Sequence, residues 1–373
     1  MFWIFCFLLA GIGIWRGILP LHIPRPVKIT LSFFTVLLAF NFILRRLAGA
    51  ENMPVGVQLF IACGFSLLAL YDGLLLIYDL GYYSAKYGYL LCKKSLPGFL
   101  KNDVLRKWLL LPAVLIVGIG MQNALSMPEV HEYKIALKNF PAELDGMRVV
   151  VLADVHADNI TDGRRVAEIV KTANDLQPDL TVVIGDVVDR RVNVLNRDLL
   201  ILGDLRARYG VFGVPGNHEY YSGYGQWMSF FKNIGINMLE NRSVLIADER
   251  IALGGVTDPA AEKFDLEMPD VSKTFSGVPD GKFKLLLAHQ PKIAENAVLE
   301  NVDLQLSGHT HGGMIRGMDI LIAGFNLGMV SGKYDYQGMN VFISNGCGIW
   351  SGFPVRLGRD SEIVLLRLYR EIR

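Results

Sequence analysis

Apolar and polar positions divide the chain into two regimes. Before residue 129, four apolar stretches follow one another with little polar relief: Phe2–Leu19, Ile29–Leu44, Val55–Leu80 and Trp108–Met127. A membrane-crossing helix needs ~20 apolar residues, with ~17 as the practical lower end. The third and fourth stretches meet that length, whereas the first is interrupted by Arg16 and the second is short. Phe2–Leu19 has no basic start and no small-x-small cleavage site, so it reads as a retained helix rather than a signal peptide. After residue 129 the pattern changes to short β-branched runs bounded by Gly, Asp or Pro, the mark of buried strands. These runs are Val149–Leu152, Leu180–Ile184, Val211–Val214, Leu285–Leu287 and Leu304–Leu306. Helical spacing recurs between them. Arg164–Gln177 places Val166, Ile169, Val170 and Ala173 on one face, starts near Asp162 and stops at Pro178. Further helices are expected over Asn196–Tyr209, Gln226–Ile234 and Lys292–Leu299, and strand pairs over Asn237–Ile246 and Arg250–Val256. Met339–Ser344 and Glu362–Leu368 read as strands that close a second sheet. The alternation predicts an α/β class, arranged as a helical membrane region (1–128), a linker (129–146) and a soluble domain (147–373).

Composition and charge sharpen this division. The 373 residues are 51% hydrophobic with a mean hydropathy of +0.33, high for a soluble protein. Before residue 129 there are 11 Lys and Arg against 4 Asp and Glu; by difference from the totals of 37 and 36, the remainder holds 26 against 32. The acidic soluble part gives no electrostatic case for nucleic-acid binding. Lys and Arg in short loops set membrane orientation. Arg25 and Lys28 follow the first stretch, Arg45 and Arg46 the second, and Lys86, Lys93, Lys94, Lys101, Arg106 and Lys107 occupy Gly81–Lys107 after the third. The first and third loops outweigh the second. This predicts a multi-pass protein of the cytoplasmic (inner) membrane with its soluble domain on the extracytoplasmic side. Asp72 and Asp79 fall in the third stretch, where an ionisable residue is a candidate for function or for a buried pair. Of the four cysteines only Cys347 lies in the soluble part, so that part has no internal disulfide and no Cys-x-x-Cys metal motif.

The candidate chemistry sits at the ends of the strand-like runs. Five of the chain's seven histidines fall in five ordered motifs: Asp154-Val-His156, Gly185-Asp186-Val-Val-Asp189, Gly216-Asn217-His218-Glu219, Ala288-His289 and Gly308-His309-Thr-His311. Turns after strands converge on one edge of a sheet, where open α/β sheets bind ligands. Asp154 and His156 are two apart, as are His309 and His311, which on an extended segment puts each pair on one face. Asp and His mixed with one Asn amide oxygen suit Mn²⁺, Fe or Zn²⁺. The seven candidate ligands Asp154, His156, Asp186, Asn217, His289, His309 and His311 exceed what one tetrahedral ion uses. Two ions ~3.5–4 Å apart, bridged by a carboxylate, account for the number. Asp189 and Glu219 read as supports that orient ligands or loops.

These motifs, in this order, resemble the calcineurin-like metallophosphoesterase superfamily, whose pattern runs D-x-H, G-D-x-x-D, G-N-H-[ED], a lone H and G-H-x-H. Pro215–Tyr220, Ser307–Gly313 and Ser344–Gly348 are similar to its membrane-associated bacterial branch, except that Met314 stands where that branch has Gln. The resemblance implies a four-layer α/β/β/α sandwich after the transmembrane helical region. It implies one ion held by Asp154, His156, Asp186 and His311, and a second by Asp186, Asn217, His289 and His309. Asp186 would bridge the two as part of the catalytic machinery, and His218 would serve as general acid. The implied reaction is hydrolysis of a phosphodiester, pyrophosphate or phosphomonoester by metal-activated hydroxide, with Mn²⁺ the first choice of metal.

The membrane anchor makes the lipid bilayer a partner and a phospholipid or lipid-linked phosphate the expected substrate. Tyr220, Tyr221, Tyr224, Trp227, Phe230 and Phe231 form either a lip touching bilayer or acyl chain, or a helix packed into the core. Arg316 and Lys333 in the Gly-rich segment Gly312–Tyr336 are available to phosphate, and Arg356 and Arg359 are surface cations by default. No protein partner is inferable. The rival class is a non-catalytic metal-dependent membrane sensor or scaffold, which would announce itself by a lost ligand.

Overall fold

The computed structural model describes residues 2–42, 53–95, 97 and 104–371. Arg45, Arg46 and Lys101, which the loop-charge expectation uses, lie outside the described residues, as does the end of the second apolar stretch. The chain divides into two compact units: Met1–Asn123 with Ser351–Val355, and Ala124–Trp350 with Arg356–Arg373.

The first unit is helical. It contains α1 (Phe2–Ile12) continuing into a π-helical turn (Gly13–Ile18), α2 (Arg25–Ala39), α3 (Val55–Leu91) and α4 (Val104–Trp108); α5 (Leu110–Leu125) begins here and ends in the second unit. Two helical segments, Val55–Leu91 and Arg106–Leu125, are long and apolar enough to cross a membrane. The segment after Gly81 was expected as a loop, but α3 continues to Leu91 with no proline to stop it. Hydropathy marks where an apolar solvent would end, not where the backbone ladder ends. Asp79 is bound by Arg16, whose Nε and Nη2 each lie 2.6 Å from its carboxylate, and by Arg106 Nη2 at 3.0 Å. The charge of Asp79 is therefore paired, whereas the buried Asp72 has no ion pair among the described residues.

The second unit is built on two six-stranded sheets. The first has the order β1 (Glu129–Leu137), β12 (Glu362–Arg370), β2 (Met147–Leu152), β3 (Leu180–Ile184), β4 (Val211–Val214), β5 (Asn237–Met238). The second has the order β10 (Gly332–Tyr336), β11 (Met339–Ile343), β9 (Leu304–Ser307), β8 (Phe283–Leu287), β7 (Ile251–Gly255), β6 (Arg242–Ile246). Val149, Val151, Val182 and Leu366 of the first sheet meet Leu253, Leu285, Leu306 and Phe342 of the second in one buried core. The opposite face of the first sheet packs on α6 (Gly163–Asp175), α7 (Val192–Leu199) and α8 (Asn217–Asn233) through Val150, Val183, Ile169, Leu199 and Trp227. The opposite face of the second carries α9 (Val271–Phe275) and α10 (Ala294–Leu299) through Ala252, Leu286, Phe275 and Ala297. The layers run α/β/β/α.

Several expectations are corrected. Glu129–Leu137, expected within a linker, is a strand paired in parallel with β12, and Ile135 and Leu137 are buried in the inter-sheet core. Glu362–Leu368 joins the first sheet rather than the second. Val364, Leu366 and Leu368 face the inner core while Ile363 and Leu365 face the helices, so this continuous apolar run belongs between two neighbours. The helix expected to reach Tyr209 stops at Leu199, followed by a 3₁₀ turn. Its continuation bonds elsewhere: Asn174 Nδ2 donates to Asp204 O and its Oδ1 accepts from Arg206 N, and the Tyr209 amide donates to Asp179 O. The aromatic helix starts earlier than Gln226, at Asn217, and kinks at Gly223 (φ 109°).

Candidate metal centre

All five motifs leave strands at one edge, three from the first sheet (β2, β3, β4) and two from the second (β8, β9). Two sheets, not one, deliver the candidate ligands. Their turns are tight and left-handed: φ is 53° at Asp154, 48° at His156, 50° at Asp186, 72° at His309 and 49° at His311. The extended Asp-x-His and His-x-His geometry expected from spacing is therefore corrected. Each such non-glycine residue costs ~1–3 kcal/mol unless its surroundings enforce it. Here the turns are stitched together, with Asp154 N donating to Gly185 O, His156 N to Asp186 O and Gly308 N to His289 O. The motif glycines permit this crowding. A Cβ on Gly216 would lie 2.3 Å from Asp186 Oδ1, and one on Gly308 2.4 Å from Asp154 Oδ2.

Two adjacent donor sets result. Asp154, His156 and His311 form one, and Asp186, His289 and His309 the other, each with its ligand atoms within 4.8 Å of one another. Asp186 Oδ2 sits amid three imidazoles, 3.2 Å from His289 Nε2, 3.8 Å from His156 Nε2 and 3.9 Å from His218 Nε2. His156 Nε2 and His311 Nε2 face each other at 3.0 Å. His156 turns its other nitrogen to Asp189 (2.7 Å) and His289 turns Nδ1 to Ile184 O (2.9 Å). Each then presents an Nε2 lone pair inward, the tautomer a metal needs. Buried Asn217 Oδ1, His289 Nε2 and His309 Nδ1 have no hydrogen-bond partner among the described residues. Lone pairs facing a carboxylate at such distances repel unless a proton or a cation lies between them. A divalent cation satisfies all three atoms together, so the residues fit a two-ion centre.

Charge agrees with that fit at two of the ligand histidines; at the other two, against burial, Asp186 raises His289 and Asp189 raises His156, so that a cation would displace a proton there. Burial, helped by the nearby Asp186 carboxylate, pushes Asp154 up to about 6 even though His289 and His156 oppose the rise. Burial holds His309 down at about 3 and His311 well below its usual range, so both imidazoles are neutral, as ligands must be. Burial works against a charged His218, but Asp186 and Asp189 outweigh it and raise it to about 10. Asp189 Oδ1 binds His218 Nδ1 at 2.6 Å as well as His156, coupling a donor-set histidine to the histidine at the mouth. Glu219, fully buried, accepts from the amides of Asp186, Val187 and Gly216 at 2.7–3.0 Å and ties the second motif to the third.

The calcineurin-like phosphoesterase family model matches residues 147–313. An uncharacterised metallophosphoesterase of Campylobacter jejuni is 31% identical over 262 residues, covering 70% of this chain and 68% of that one. The chain belongs to the calcineurin-like phosphoesterase family. An uncharacterised metallophosphoesterase of Helicobacter pylori is 34% identical over 251 residues, covering 67% of this chain and 66% of its own. A bovine transmembrane protein with a metallophosphoesterase domain is 31% identical over 286 residues, covering 71% of this chain and 64% of its own. The matched part thus spans about two thirds of the length of these curated relatives.

Within this calcineurin-like centre, some residues take places that their spacing did not announce. Arg356, expected at the surface, is 3% exposed and donates to Asn345 O (2.8 Å), with Nη2 3.1 Å from His311 Nδ1. An arginine only donates, so ligation through His311 Nε2 requires that contact to give way. Arg359 pairs with Asp319 at 2.6 Å, and Lys333 lies exposed on β10, the outermost strand of the second sheet. Buried Asp258 accepts from Gln290, the residue after His289. None of these has a local motif; only the fold brings them in. The aromatic cluster turns inward, with Tyr220, Trp227 and Phe231 at most 2% exposed, so the lip reading fails for them. Tyr221 alone of the six is strongly exposed, its ring 5.6 Å from that of His218. Cys347 is a small buried residue whose thiol burial pushes up to about 12.

Proposed function

We propose that the chain is a membrane-anchored two-metal phosphoesterase that hydrolyses a phosphodiester, pyrophosphate or phosphomonoester of a phospholipid or lipid-linked substrate. The observation that carries this reading is the pair of donor sets meeting at Asp186 Oδ2, with the protonated His218 held beside them by Asp189. Asp154, His156, Asp186 and His311 would hold one ion, and Asp186, Asn217, His289 and His309 the other. Mn²⁺ is the first choice, with Fe or Zn²⁺ compatible. Such ions supply an activated water and neutralise charge developing on the phosphoryl oxygens. His218, with 22% of its side chain accessible, delivers a proton from Nε2 to the leaving oxygen while Asp189 fixes the ring through Nδ1. Burial of the ligand atoms keeps bulk water from competing for the donors.

The helices Val55–Leu91 and Arg106–Leu125 support a membrane location, as do transmembrane relatives. Placement in the cytoplasmic membrane with the catalytic domain outside follows from loop charge. The test is hydrolysis of bis-p-nitrophenyl phosphate by the detergent-solubilised protein with and without Mn²⁺. Wild-type activity should require metal, and Asp186→Asn and His218→Asn should each lower it ~10²-fold or more. A preparation that binds no metal would sink the reading.

A further inference from the structure

The direction of the strands determines at which edge of the first sheet the chain enters β1. β12 runs antiparallel to β2 and β1 runs parallel to β12, so β1 enters the sheet at the edge where β2 leaves it towards Asp154. Glu129 begins β1 there, its amide donating to Ser361 O. Leu125, the last residue of α5, is four residues earlier, a reach of at most ~14 Å. A second tie points the same way. Arg165, in the first turn of α6 just after the Asp154–His156 turn, donates to Leu125 O (2.9 Å) and Ser126 O (2.5 Å). The chain from Leu125 to Glu129, all of it within the second unit, therefore lies at the edge that bears the candidate metal centre.

That edge carries ordered, outward-facing apolar side chains. The connection after His311 contains α11 (Asp319–Ala323), none of whose residues is buried; Ile320 is 77%, Leu321 66% and Phe325 68% exposed. The connection is held in place by Arg359 on Asp319 and by Arg316 N donating to Leu357 O. On the connection after β7, Phe264, Leu266 and Met268 are each more than 40% exposed, and Phe264 packs on Tyr221 beside His218. Exposed apolar groups gathered on one side of a domain mark an interaction surface, and the tether names the surface within reach.

We propose that this edge rests on the lipid bilayer, with Ile320, Leu321 and Phe325 entering its interfacial layer, so that the metal centre opens onto the headgroup plane of its own membrane. The inference rests on the membrane-anchored reading above and deepens it, naming the segment that reaches the lipid.

The test uses the full chain in phosphatidylcholine nanodiscs containing a diazirine-bearing phosphatidylcholine, with adducts mapped by mass spectrometry after photolysis. Adducts are expected in the spans and on Ile320–Phe325, and not on Leu299, which is equally exposed at the far end of α10. Labelled spans with an unlabelled Ile320–Phe325 would overturn the proposal, as would cross-links from this segment to a second copy of the chain in place of lipid. The combined Ile320→Asp, Phe325→Asp variant should lose labelling of its loop about 10-fold while hydrolysing bis-p-nitrophenyl phosphate at the parent rate. An equal fall in that soluble activity would mean that the loop merely supports the centre, against the proposal. Loop labelling without turnover of any phospholipid would uphold the docking and remove the lipid-substrate reading instead.

Discussion

Asp189 shows how one carboxylate shapes two imidazoles. Burial opposes its charge, but His156 and His218 outweigh that cost and hold it far below the usual carboxylate range. In return it fixes the tautomer of His156 and favours the protonated form of His218. Asp189→Asn keeps the shape and removes the charge, so the folded protein should lose ~10–100-fold in turnover, the usual effect of removing an orienting partner. The pH profile gives the more specific signature. His218 is raised with the help of Asp189, so loss of that carboxylate lowers it, and the proton it donates departs at lower pH. The alkaline limb of kcat should move to lower pH in Asp189→Asn; an unmoved limb with reduced rate would make Asp189 a packing residue only. The spacing Gly185-Asp186-x-x-Asp189 makes this carboxylate visible in the sequence, whereas Arg356 carries no such mark, because His311 lies 45 residues away and only the fold brings the two together.

At the scale of elements, β1 and β12 are where sequence pattern and fold part company. The five strand-like runs that precede the motifs were legible because each is short, mostly apolar and followed within two residues by Asp, Gly, Pro or His. The order of strands was not, because β12 inserts between β1 and β2 from the far end of the chain, and no local pattern encodes that pairing. Likewise Glu129–Leu137 alternates exposed and buried residues over most of its length, as an edge strand does, and charged Glu129, Glu132 and Lys134 disguise it as a linker. The left-handed turns were hidden as well, since Asp, Asn and His tolerate positive φ without announcing it. Ile135→Ala measures the difference. A linker residue would change stability by ~0.5 kcal/mol or less, but Ile135 is fully buried between the sheets and truncation there should cost ~2–5 kcal/mol. Thermal unfolding of the solubilised protein should show Tm lowered by at least ~4 °C, with Glu132→Ala as an exposed control on the same strand.

For the whole molecule, the metal centre ties the two sheets together at one edge. Asp154, His156, Asp186 and Asn217 follow strands of the first sheet, while His289, His309 and His311 follow strands of the second. Between the layers lies apolar contact, which is non-directional and tolerates sliding; at this edge the loops carry strained φ values and buried lone pairs that repel. Cations binding the native arrangement and not the unfolded chain stabilise by mass action, ~2.7 kcal/mol at a hundredfold excess over Kd for one site. Chelation of metal should therefore lower Tm of the second unit by ~5–10 °C, at ~2–4 °C per kcal/mol for a domain of this size, and Mn²⁺ should restore it. In the proposed arrangement Asp186 would hold both ions, so the Tm of Asp186→Asn should respond to Mn²⁺ far less than that of the parent, whereas His311→Asn, which would touch one ion, should retain a partial response. Calorimetry of the three proteins with and without chelator separates these cases. Equal metal responses in all three would mean that the ions bind elsewhere, and that the convergence of seven donors at this edge is packing rather than a centre.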